Sequence, residues 1–142
     1  MKTIKKEILI HAPAAKVWEH LTDPAKVGTW FKPCDIAPRV GHQFTLASEC
    51  SGDLHSVIRE VIPNRKLVYT FPLADFKIET LVTFLLEETG ASTKLTLLHS
   101  GFEQLTAEQI AETTPKYDGG WGTFLPRLQA QAAEPSLATA QT

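Results

Sequence analysis

His99 and Ser100, in the stretch "LTLLHSGF", set an imidazole beside a hydroxyl where an alternating apolar run ends. Such a pair begins a nucleophilic site, in which the base activates the hydroxyl, but it also needs an orienting carboxylate and donors for an oxyanion. No nucleophile elbow or glycine-rich oxyanion loop stands near it in the sequence. His99 is therefore read as the inward end of the last strand, with Ser100-Gly101 opening a turn. No catalytic residue is assigned. His42, His55, His99 and Cys50 carry metal-binding atoms, yet their spacing follows no recognised ligand pattern, and no metal site is expected. Glu60 shares strand parity with Ile58 and Ile62, which aims it inward, where burial would raise its carboxyl pKa. With Tyr69 and His99 it completes the set of groups able to act as general acid or base. His11 and His20 read as surface positions at element ends, and Cys34 and Cys50 as inert thiols, since nothing basic clusters beside them.

The elements that position these groups follow from periodicity. "TIKKEILIH" reads as a first strand. Along "PAAKVWEHL", Ala14, Val17, Trp18 and Leu21 recur at helical spacing after Pro13. Asp23-Pro24 ends that helix and caps a second short one, in which Val27, Trp30 and Phe31 share a face. From Asp35 the period changes to two. Gly41 marks a bend, and "SGD" at 51 to 53 reads as a hairpin turn before "LHSVIREVI". "KLVYTF", "IETLVTFLLEE" and "TKLTLLH" then follow with short connections, as expected of an antiparallel meander. Thr106 and Gln109 are spaced as a capping box, and Pro115 is expected to stop the helix they begin. Trp121, Phe124, Leu125 and Leu128 form a last apolar stripe at i, i+3, i+4 and i+7. Pro126 within it predicts a kink or a late start.

Composition narrows the function classes. The 142 residues fit one domain, taken as 1–134 with a flexible tail at 135–142. Fourteen basic and 16 acidic residues give a net charge of -2, which offers no basic field for nucleic acid. No run is long enough for a membrane span or a secretory signal, and two unpaired cysteines suit a reducing compartment. A cytoplasmic protein is expected, with no membrane insertion, no nucleic-acid partner and no cofactor, as a monomer or homodimer.

Five segments, "IHAPAAKVWEHLTDPAKVGTWF", "VGHQF", "SVIREVIPNRKLVYTF", "TKLTLLHSGF" and "GGWGTFLPRL", together resemble the SRPBCC superfamily of START-related proteins. Within it the chain is similar to the C-terminal domain of the activator of heat-shock protein 90 ATPase, over residues 4 to 130. The resemblance implies an α+β helix-grip fold, as in the birch-pollen allergen, whose curved antiparallel sheet wraps a long C-terminal helix. It also implies a cavity between them for a small hydrophobic molecule. Trp30, Phe44, Leu46, Tyr69, Phe71, Phe84, Leu97, His99, Trp121, Phe124 and Leu128 are the candidate ligand-binding residues; His42, where relatives carry a second glycine, belongs either to the cavity rim or to an exposed bulge. A carrier or sensor without catalysis is the expected role. A cyclase or dehydrase acting in the same cavity, and a chaperone-associated or other protein-binding module, are the alternatives.

Overall fold

A computed structural model of the chain describes residues 3–31, 34–46, 54–73 and 78–133. Strand β1 (Ile4–Ile10) leads into helices α1 (Ala14–Thr22) and α2 (Pro24–Trp30). Strands β2 (Gln43–Leu46), β3 (Leu54–Ile62), β4 (Lys66–Leu73), β5 (Ile78–Thr89) and β6 (Ser92–Ser100) follow, and helix α3 (Ala107–Ala132) ends the described chain. The strands form one six-stranded antiparallel sheet in the order β1-β6-β5-β4-β3-β2. Only β1 departs from the meander, pairing with β6 along Ile4↔His99 to Ile10↔Thr93. This is the helix-grip arrangement, with the sheet curved around α3.

Local chemistry fixes the ends of the helices. The Asp23 carboxylate accepts from the Ala25 N–H at 3.0 Å, with Pro24 at the first helical position. The Thr106 hydroxyl accepts from the Gln109 N–H at 3.1 Å while the Gln109 side chain accepts from the Thr106 N–H at 3.0 Å, which closes a capping box. The turn expected at 51 to 53 lies outside the described residues, as do Cys50 and the proposed tail.

Pro115 does not stop the helix, and Pro126 lies within it; α3 runs unbroken through both. Each proline removes one backbone bond, at the carbonyls of Ala111 and Gly122. Those two residues are exposed, so water can take the freed oxygens. The opposite face buries Trp121, Leu125, Leu128 and Ala132. Burying the large side chains among them contributes roughly 1.5–3 kcal/mol each, which offsets a cost of about 3 kcal/mol per proline.

The inward face of the sheet and these helices share one core, with Trp30, Phe84, Phe102, Ile58, Leu67 and Leu97 among its most buried side chains. A bulge interrupts β3 against β4, so Ile58 pairs with Tyr69 while Glu60 pairs with Val68. This shift reverses the parity beyond Ile58. Val61 packs against the core in place of Glu60.

Candidate functional site

The inward row Tyr69, Val82 and His99 runs across β4, β5 and β6. Strand spacing of about 4.8 Å therefore holds the phenol-bearing and imidazole-bearing residues roughly 10 Å apart, with Val82 between them. His99 is fully buried. The Trp121 indole N–H donates to its Nδ1 at 3.1 Å, and its Nε2 lies 2.7 Å from the Thr80 Oγ1. Indole nitrogen is a donor only, so Nδ1 must be the acceptor and the ring is the neutral Nε2–H tautomer. Nε2–H then donates to Thr80, whose hydroxyl donates onward to the Phe71 carbonyl at 2.6 Å. Every polar atom of the imidazole is thereby used.

Four aromatic rings surround this histidine, those of Phe71, Phe102, Tyr117 and Trp121, at centroid distances between 4.7 and 6.1 Å. Burial among them pushes its pKa down from 6.5 to about 3. Gly101, at φ +104°, supports the contact from behind, because a Cβ there would meet the Thr80 Cα at 3.1 Å.

The other acid-base candidates do not converge on His99. Glu60 is half-exposed and pairs with Lys66 at 3.2 Å, so the inward orientation expected for it is corrected by the bulge. Tyr69 is buried against Phe44, ring centroids 5.1 Å apart, and its pKa is raised, first by burial and then by the nearby Cys34 sulfur. Burial likewise raises the Cys34 thiol. His42 bonds the Asp35 carbonyl through Nε2 at 2.9 Å and faces Arg39. His20, expected at the surface, is buried: its Nδ1 lies 3.0 Å from the Lys16 carbonyl oxygen, and its own carbonyl accepts the Trp30 indole N–H at 2.7 Å. The bond from Trp30 ties this residue's backbone to α2, a contact that α1's own periodicity does not contain. Among the described residues no three His, Cys, Asp or Glu side chains gather as a metal site.

Outward from His99 the chain of contacts reaches a cleft of about 160 Å³ between the end of α2, β4 and α3. Its walls are Phe31, Phe71, Tyr117, Trp121 and Phe124. Phe31 stacks on Trp121 at 5.3 Å and meets Phe124 edge-on at 4.9 Å, while Phe71 meets Tyr117 edge-on at 5.9 Å. Gly120 and Lys116 complete the lining. Of the candidate residues, Phe71, Trp121 and Phe124 border the cleft. Trp30 lies behind Phe31, stacked on it at 5.2 Å, and Phe44, Tyr69, Phe84, Leu97 and Leu128 belong to the packed core. Leu46 closes β2, and its side chain lies outside the described residues. Phe31, Tyr117, Gly120 and Lys116 are additions. For Tyr117 the signal was present, since it precedes Trp121 by four residues on the same helical face.

A sequence model described as "Activator of Hsp90 ATPase homolog 1-like protein" matches residues 11–133. Comparison with curated proteins finds no match. Among solved structures, protein MLL2253 from Mesorhizobium loti superposes with a TM-score of 0.82 at 30% identity, covering 92% of this chain and 96% of that one. Protein BH1534 from Bacillus halodurans gives 0.79 at 29% identity, covering 93% and 97%. A structure described as the Aha1 dimer from Colwellia psychrerythraea gives 0.74 at 21% identity, covering 91% and 94%, and shares the fold.

Proposed function

The chain belongs to the activator of Hsp90 ATPase homolog 1-like family, and from that premise we propose that it binds a small hydrophobic molecule, without turning it over, in the cleft between the sheet and α3. The observation that carries this reading is the wall of five aromatic side chains around an apolar space of about 160 Å³. An apolar cavity of about 150 Å³ is large enough to hold benzene, so the natural occupant is an aromatic ring or a group of that size. Binding without catalysis is favoured because the one imidazole beneath the cleft is neutral and has both nitrogens engaged. A general acid or base needs a proton-exchanging atom within reach of the substrate, and the buried His99–Thr80 pair offers none.

Trp121 reports directly on occupancy. Titration with toluene or indole derivatives is expected to change tryptophan emission in the native protein, and replacing Trp121 with Phe is expected to remove most of that change. A flat response across one-ring compounds would overturn the reading. The dimeric relative also makes self-association a property to measure alongside, by sedimentation of the free and ligand-saturated protein.

A further inference from the structure

Gly120 sits inside α3 and lines the cleft, but the fold itself does not require a glycine there. A Cβ added at Gly120 meets nothing within 4 Å, and its backbone is not in the left-handed region. Glycine in a helix interior costs roughly 0.5–1 kcal/mol relative to alanine. The helix carries this cost at Gly119, Gly120 and Gly122, and of the three only Gly120 lines the cleft. An absent side chain there leaves a slot through which a flat group can lie against the helix.

Lys116, one turn earlier on the same face, is the single charged side chain lining the cleft. Its Nζ lies over the Tyr117 ring, 5.6 Å from the centroid, and among the described residues it has no acidic partner within ion-pair distance. On the far side Arg127 lies over Phe124 at 5.7 Å. The nearby acid Asp118 is engaged by Lys6 at 2.9 Å. The charged group in the lining is thus a single cation beside apolar walls, which is the complement of an amphipathic anion.

We propose that the cleft selects a single flat ring bearing an anionic group such as a carboxylate, the ring lying over Gly120 and the anion held at Lys116. The assignment rests on the ligand-binding reading above and sharpens it to a chemical class. Lys116 supplies selectivity, because its charge distinguishes an acid from a neutral isostere of the same shape. Gly120 supplies the space.

The test uses phenylacetate and its uncharged analogue phenylacetamide, titrated into the full chain while the Trp121 indole N–H is followed by NMR. The acid is expected to bind about fivefold more tightly than the amide at low ionic strength, with the difference shrinking as salt is added. Lys116→Gln should bring the two affinities to within about twofold of each other. Gly120→Leu should keep the circular dichroism of the native fold and lose both ligands. Equal affinities in the native protein, a preference for acid that survives Lys116→Gln, or unaltered binding to a folded Gly120→Leu would each overturn the proposal while leaving ring binding intact. Silence of Trp121 towards both compounds, and towards toluene, would remove the ligand-binding reading together with it.

Discussion

His99 concentrates the chemistry of the interior in one residue whose direction was legible and whose partners were not. Its alternation with Leu95 and Leu97 aims it inward from the sequence alone. Thr80 and Trp121, which satisfy it, come from β5 and α3, and no local pattern joins them to it. The buried, neutral ring has a pH signature. Its folded pKa is about 3, against an ordinary value of 6.5. Below pH 6.5 the unfolded chain takes up a proton that the folded chain refuses, so stability is level above that pH and falls as pH drops from 6.5 towards 3. The slope approaches about 1.4 kcal/mol per pH unit for one such group. Denaturant unfolding between pH 7.5 and 4.5 should show this loss in the native protein and less of it in His99→Leu, whose stability at pH 7.5 is already lower because the Trp121 N–H loses its acceptor. Equal slopes for the two proteins would mean that His99 is not the neutral buried group described here.

At the scale of elements, local signals were sufficient wherever an element ends on its own chemistry. The Asp23 cap and the capping box of Thr106 and Gln109 lie where the sequence puts them. Local signals misled where packing or register decided. Pro115 reads as a stop because local rules count only the lost backbone bond and the ring clash, whereas the apolar face of α3 is set by its contacts with β1, α1 and α2. Glu60 reads as inward because strict alternation cannot contain a bulge, which is a property of two strands and not of one. The prolines give a measurable consequence. Pro115 is exposed, and an alanine there restores a donor for the Ala111 carbonyl. Pro115→Ala should raise the unfolding free energy by about 1–3 kcal/mol, read as a higher thermal midpoint, without affecting ligand titrations. A lower midpoint would show that the proline ring sets a bend that α3 needs in order to pack.

For the molecule as a whole, the order of elements and the family resemblance it supports anticipated the fold, but the size of the interior space was beyond their reach. The candidate residues were chosen as the inward-facing set, and inward-facing describes both a cavity wall and a filled core. Trp30, Phe84 and Trp121 meet edge to face at 6.2 to 6.3 Å and occupy the region where the resemblance implied a roomy cavity. The cleft that remains is bounded on its open side by Phe124, which is half-buried while its neighbours Trp121, Leu125 and Leu128 are sealed. The space between the walls therefore favours a single ring, and Phe124 is where it can be widened at least cost. Toluene should bind the native protein more tightly than 2-methylnaphthalene, because a second ring must either leave the space of about 160 Å³ between the aromatic walls or displace α3. Phe124→Ala should reverse that order, with stability reduced by less than the 3–5 kcal/mol typical of a fully buried Phe→Ala replacement. Calorimetric titration of both hydrocarbons into both proteins decides the matter. If the two-ring compound already binds the native protein more tightly, it either extends past the aromatic walls or moves α3 aside, and the space of about 160 Å³ does not set the size of the ligand.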